Sequence, residues 1–195
     1  MESTFATHER LTARQRQLVG ELLDLFLAEG FAHLTLDDLA ARLGCSKRTL
    51  YALADSKEQL AVRTVRYFFK QATDQVETAI ARTRSPAARV TRYLEAVAAA
   101  LRPASPQFMR DVDHQSATRE VYEQNTVAAA VRVRELIDEG IKEGAFRKVS
   151  AVFVGEVVTA TMRRITSGEL GRATGLDDAQ AYAELAKLVV AAISR

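Results

Sequence analysis

Residues Thr35-Leu36-Asp37-Asp38-Leu39-Ala40-Ala41-Arg42-Leu43-Gly44-Cys45-Ser46-Lys47-Arg48-Thr49-Leu50-Tyr51 constrain the fold more than any other part of the chain. They read as two short helices joined by a tight glycine turn. Thr35 suits the cap of the first helix, and Asp38 at its third position can reach back to close a capping box. Asp37 and Asp38 also favour the positive end of the helix dipole. Leu36, Leu39, Ala40 and Leu43 recur at three- and four-residue steps, which gives the helix one apolar stripe. Gly44 stands where a helix end turns left-handed, a conformation glycine adopts without steric cost. Ser46 caps the second helix, and Leu50 and Leu53 face back towards a core.

The second helix opens with Lys47 and Arg48, although positive charge in a first turn opposes the dipole. A neighbouring polyanion would give that placement a purpose. Arginine can fork onto guanine O6 and N7, and lysine can do the same or hold phosphate. Thr49 and Tyr51 also have outward options on this helix, and the hydroxyls of Thr35, Ser46 and Tyr51 suit phosphate contacts that fix register. A helix pair with cations at the start of its second helix fits the major groove of DNA. An ordinary helical hairpin with solvated charges fits the same residues.

The flanks separate the two readings. Tyr51-Ala52-Leu53-Ala54-Asp55-Ser56-Lys57-Glu58-Gln59-Leu60 follows directly, with Ser56 and Gln59 placed as a capping box for a long helix. From Gly30 to Leu60 the chain resembles the DNA-binding domain of the TetR family of bacterial transcriptional repressors. The resemblance rests on the glycine that closes the first helix, the capped Thr35 helix, Leu-Gly-Cys-Ser-Lys-Arg-Thr-Leu-Tyr, and Ser-Lys-Glu-x-Leu. It implies that Lys57, at the start of the fourth helix, contacts phosphate. The family usually carries an aromatic residue where this chain has Ala54, so the packing at that junction is expected to differ.

The rest of the chain reads as helix throughout, about nine helices in an all-α fold. Met1–Arg10 is polar and reads as a frayed end. The first helix is expected over Leu11–Glu29, with Leu18, Leu22, Leu25 and Phe26 on one side and Phe31 and Leu34 completing a three-helix core. A long helix runs from Ser56 to about Arg82. Ser85-Pro86 and Ser105-Pro106 each pair a cap with proline at the first helical position. A long helix from Ser116 to Glu143 ends at Gly144, Ser150 caps the next, and Asp177 caps the last. The division expected is a helix-turn-helix domain over 1–55 and a helical regulatory and dimerisation domain over 56–195.

Composition bounds the function. A net charge of +2 excludes indiscriminate coating of nucleic acid, so DNA binding must come from local charge. Cys45 is the single cysteine, which excludes an intrachain disulfide and points to the cytoplasm. At its place in the turn it reads as a packing thiol. No apolar run spans a membrane and no signal peptide is visible. His8, His33 and His114 lack ligand spacing with one another, so no metal site is expected. No phosphate loop, nucleophile elbow or Cys/His pairing is present, so neither catalytic residues nor a cofactor are expected.

Val154, Val158, Ile165, Leu185, Leu188 and Val189 give the last two long helices wide apolar faces, and a homodimer through those helices would bury them. The resemblance implies the same, as a four-helix bundle between two subunits. It also implies a small-molecule pocket among the middle helices, where Tyr93, Phe108, Met109, His114, Tyr122 and Met162 are the candidate ligand contacts for a largely apolar effector. Together these readings describe a dimeric repressor that binds a palindromic double-stranded DNA operator and is released by a small molecule. The alternatives are a helical protein-interaction module, or a helical-bundle enzyme, that retains a helix-turn-helix.

Overall fold

The computed structural model describes residues 12–195. The Met1–Arg10 segment, His8 and the Leu11 start of the first helix lie outside the described residues. Ten α-helices follow: α1 (Ala13–Glu29), α2 (Leu36–Arg42), α3 (Lys47–Tyr51), α4 (Lys57–Ile80), α5 (Pro86–Leu101), α6 (Pro106–His114), α7 (Ser116–Lys142), α8 (Ala151–Thr166), α9 (Glu169–Thr174) and α10 (Asp178–Ile193). Among the described residues there is no strand, only an isolated antiparallel bridge between Phe146 and Ser194.

Side-chain caps set most helix starts, because each satisfies a backbone N–H that has no partner within the helix. Thr35 and Asp38 close a full capping box, as do Thr12 with Gln15 and Asp177 with Gln180. Ser46, Ser56, Ser85, Ser105 and Ser150 each accept the N–H three residues on. The expected count of nine is one short. The extra helix, α9, lies between Gly168 and Gly175, both left-handed with φ of 70° and 75°, and it buries no residue. With no apolar stripe and no side-chain cap, it carried no sequence signal.

The helices enclose two cores. The first gathers Leu18, Leu22 and Phe26 of α1, Phe31, Leu39, Leu50 and the front half of α4. It also takes Phe108 and Val112 from α6 and Val121 from α7. The second collects Val76 and Ile80 from the rear of α4 with the inner faces of α5, α7, α8 and α10. α4 therefore belongs to both, and its two ends are packed by different neighbours.

Two glycines test this packing with opposite signs. A Cβ on Gly140 in α7 would stand 2.2 Å from ring carbons of the buried Phe146. A Cβ on Gly20 in α1 would have nothing within 4 Å. Gly140→Ala should lose about 1–3 kcal/mol through overpacking. Gly20→Ala should gain about 0.5–1 kcal/mol by removing glycine from a helix interior. Urea unfolding of the two variants checks both signs.

Candidate functional site

The helix pair presents an exposed polar surface. Thr35 accepts the Asp38 N–H at 3.1 Å and donates to the Asp38 carboxylate at 2.7 Å. The hydroxyl bond, joined by one from the Thr35 backbone N–H at 2.8 Å, holds that carboxyl below the usual carboxylate range. Ser46 accepts the Thr49 N–H at 3.2 Å. Lys47 is an ion-pair partner of Asp37 at 2.9 Å, which links the starts of α2 and α3. That pair offsets the dipole conflict seen in the sequence. Arg48 is exposed and takes part in no ion pair among the described residues, and Tyr51 stands half out of the surface. Arg42 pairs with Glu29 and fastens the end of α2 to the end of α1. Cys45 is half-buried, and burial pushes its thiol pKa up.

Lys57 is placed differently from these residues. It is half-buried, and its ammonium donates to the Ala32 carbonyl at 2.8 Å. Burial lowers its pKa, opposed by Asp111 and Asp38. It joins the start of α4 to the turn between α1 and α2. On the other side of that turn is Asp111 of α6, a carboxylate only 4% exposed. Its Oδ2 accepts the backbone N–H groups of Phe31 at 2.6 Å and Ala32 at 2.8 Å, while Oδ1 accepts from Gln107 at 2.6 Å. Gly30, at φ 81°, is required here, since a Cβ would come 2.5 Å from Asp111 Oδ2. The neighbouring Ser105 N–H donates to the Leu27 carbonyl at 2.9 Å. Asp111 went unrecognised in the sequence because its partners lie about 80 residues away.

Aromatic rings extend this joint inward. Phe26 stacks on Phe31 at 4.9 Å, and Phe31 meets Phe108 edge-on at 6.0 Å. Phe108 meets Phe68 at 5.4 Å, Phe68 meets Phe69 at 5.1 Å, and Phe69 meets Tyr122 at 5.7 Å. The last two rings line a cavity of about 400 Å³ walled by residues of α4, α5, α7, α8 and α10.

That cavity is walled mainly by apolar side chains, among them Val76, Val97, Ala100 and Met162. Tyr93 and Tyr122 line it as well. Tyr122 is within hydrogen-bond distance of Thr166 at 3.0 Å. Three of the expected contacts do not reach it. Phe108 is fully buried in the first core between the rings of Phe31 and Phe68. Met109 packs against that same core. His114 is exposed, its ring Nδ1 2.7 Å from the Arg110 carbonyl. The short α6 turns Phe108 and Met109 towards the first core and leaves His114 at the surface, away from the cavity. In their place stand Phe69, Val97 and Tyr182. Tyr182 is 2% exposed, and its hydroxyl has no hydrogen-bond partner among the described residues. One cavity wall carries an ion network in which Arg132 bonds Glu77 at 2.8 Å and 3.2 Å and Glu135 at 3.1 Å. A shallower groove of about 170 Å³ between α7 and α8 shares Thr126, Val131 and Arg163 with the cavity.

The apolar residues of α8 and α10 divide between inside and outside. Val158, Ile165, Leu185 and Val189 are buried in the subunit's own second core, and Val154 is half-buried against it. Of the six expected dimer residues only Leu188 is fully exposed, at 68%. Val152, Phe153 and Val157 of α8 are exposed beside it in type, Phe153 at 68%. Both helices have two apolar sides, and the sequence could not tell which side the subunit covers itself.

Among the described residues no cluster of His, Cys, Asp or Glu is arranged to hold a metal, and no helix is long and apolar enough to cross a membrane.

Comparison with known proteins bears on the helix pair and on the whole fold separately. Residues 21–64 match the model described as bacterial regulatory proteins, tetR family. A helix-turn-helix-type transcriptional regulator of Bacillus subtilis (strain 168), YvaF, itself uncharacterised, is 43% identical over 56 residues. That segment is 29% of this chain and 29% of the relative. Among solved structures, a TetR transcription regulator from Haloarcula marismortui superposes with a TM-score of 0.76 at 18% identity. It covers 92% of this chain and 97% of its own. A proposed transcriptional regulator from Saccharomonospora viridis, in complex with choline, gives the same TM-score, identity and coverage. At that identity the structures establish a shared fold.

The cavity tyrosines give a pH test. Burial first, and Glu77 second, push the Tyr93 phenol up to about 12, and burial raises Tyr182 further. Both bind their proton more tightly folded than unfolded. The stability they contribute is complete below the unfolded value of about 10 and is lost as pH rises past it. Of the five tyrosines, Tyr93 and Tyr182 should stay un-ionised at about pH 11 while the protein remains folded. Ultraviolet titration should show their missing absorbance step appear together with unfolding.

Proposed function

We propose that this chain, whose residues 21–64 match the tetR family of bacterial regulatory proteins, is a ligand-responsive transcriptional regulator that binds a palindromic DNA operator as a homodimer. The observation that carries this reading is the capped α2–α3 pair, with Arg48 in no ion pair among the described residues and exposed like Thr35, Ser46 and Tyr51. Lys47, held by Asp37 in the free protein, can exchange that carboxylate for phosphate. Lys57 keeps ammonium protons to spare beyond the one given to Ala32. Residues 1–55 would read DNA, and 56–195 would regulate and dimerise. The reading assigns no catalysis and no cofactor, and it places the protein in the cytoplasm with its operator.

Two heads reading successive major grooves need a fixed separation. The exposed side of α8 and α10, with Val152, Phe153, Val157 and Leu188, is the surface we assign to the partner subunit. Buried residues such as Val158 and Leu185 support it from beneath.

The cavity supports a repressor released by its ligand. Phe69, Val76 and Glu77 of α4 line it, and the same helix reaches the head through Lys57. A ligand that displaces Phe69 and Tyr122 pushes on the ring series leading to Phe31, and on α6, which Asp111 bonds to the head. Ligand binding would favour a head spacing that no longer fits the operator, a population shift in the ordinary sense.

DNA titration by mobility shift, with the region upstream of the protein's own coding sequence, tests this reading. Arg48→Ala should weaken specific binding by about 1–3 kcal/mol, or about five- to 150-fold. Leu188→Asp should yield monomers by sedimentation and weaken the same complex. Wild-type affinity in a double Lys47→Ala, Arg48→Ala variant would refute the groove-reading role.

A further inference from the structure

Among the described residues, the Tyr182 hydroxyl is the one fully buried polar side-chain atom of the cavity lining without a hydrogen-bond partner. Tyr182 lines the cavity, its hydroxyl is buried, and among the described residues nothing donates to that hydroxyl or accepts from it. A buried hydroxyl without a partner is costly, and that cost is removed by a ligand that supplies one. Tyr122 pairs with Thr166, and Arg132 bonds both Glu77 and Glu135, while the less deeply buried side chains of Tyr93 and Asn125 add to the polar lining.

Charge points the same way. Two carboxylates, Glu77 and Glu135, and two guanidiniums, Arg132 and Arg163, contribute to the lining, so the cavity has no net charge for a ligand to neutralise. Arg163 stands exposed where the cavity meets the α7–α8 groove, and a solvated cation there adds little affinity for an anion. The remaining wall is hydrocarbon, as in Val97, Ala100 and Met162. A volume of about 400 Å³ suits a small organic molecule.

We propose that the effector is an uncharged, mainly hydrocarbon molecule carrying a hydroxyl or carbonyl group that hydrogen-bonds the Tyr182 phenol. The proposal rests on the reading of this cavity as the effector site, and adds the chemical class and the residue that recognises it.

Three probes with one ring system separate the possibilities: naphthalene, 2-naphthol and 2-naphthoate, each titrated by its own fluorescence into the full-length protein. 2-Naphthol should bind tightest, by about tenfold over naphthalene, as expected for one hydrogen bond to a buried group. Tyr182→Phe should remove that advantage and leave naphthalene within about twofold. Val97→Trp, which fills the cavity while remaining folded by circular dichroism, should weaken all three. If 2-naphthoate binds tightest, or naphthalene equals 2-naphthol in the wild type, the class is wrong while the cavity stands, provided Val97→Trp still abolishes binding. An advantage of 2-naphthol that survives in Tyr182→Phe overturns the role of that residue. If no probe binds, or Val97→Trp leaves binding unchanged, the cavity reading fails and the proposal falls with it.

Discussion

The Asp111 carboxylate is the joint on which the arrangement of head and body depends. Taking a carboxylate out of water is costly, and it is tolerated here because three N–H donors surround it. Two of those donors are backbone groups of the turn between α1 and α2, so α6 fixes the path of the chain into the α2–α3 pair. Lys57 holds the same turn from α4 through the Ala32 carbonyl. Gly30 is the only residue type that lets Asp111 approach so closely. The turn is thus clamped between α6 and the start of α4, the helix whose rear half lines the cavity.

The clamp explains why the chain needs no aromatic residue at Ala54. Ala54 is half-buried against the first core, and Leu53 beside it is buried. Contact between the head and the rest of the chain passes instead through Phe26, Phe31, Phe108 and Phe68. Those rings come from α1, the following turn, α6 and α4. Packed aromatic rings at 4.9–6.0 Å leave little room for independent movement. A shift of α4 or α6 must therefore be shared by the head. Because α4 contributes to both cores, a change at Phe69 or Val76 cannot remain local.

Much of the fold was legible in the sequence because it is written in local chemistry. Thr35 with Asp38, Ser85-Pro86, Ser105-Pro106 and Asp177 mark helix starts through bonds made within three residues. The helix pair and its cations were legible for the same reason. What could not be read was anything decided by a distant partner. The Asp37 pairing of Lys47 crosses between helices. Phe108 and Met109 carry the same apolar character wherever α6 points, and only the folded chain directs them to the first core. Tyr182 lies on an apolar helix where it looks like ordinary core, and only its unpartnered hydroxyl distinguishes it. The exposed sides of α8 and α10 carry large apolar residues among their charged ones, so Phe153 and Leu188 emerge as surface residues only once Val158 and Leu185 are seen to be inside.

Amide hydrogen exchange at Phe31 and Ala32 measures the joint directly. In the wild type both N–H groups should be protected by the Asp111 carboxylate. In Asp111→Ala they should exchange about ten- to 100-fold faster, while the amides of Leu22 and Phe26, bonded within α1, stay within about threefold of wild type. Unchanged protection at Phe31 and Ala32 in that variant would show that α6 does not hold the head, and would contradict the account.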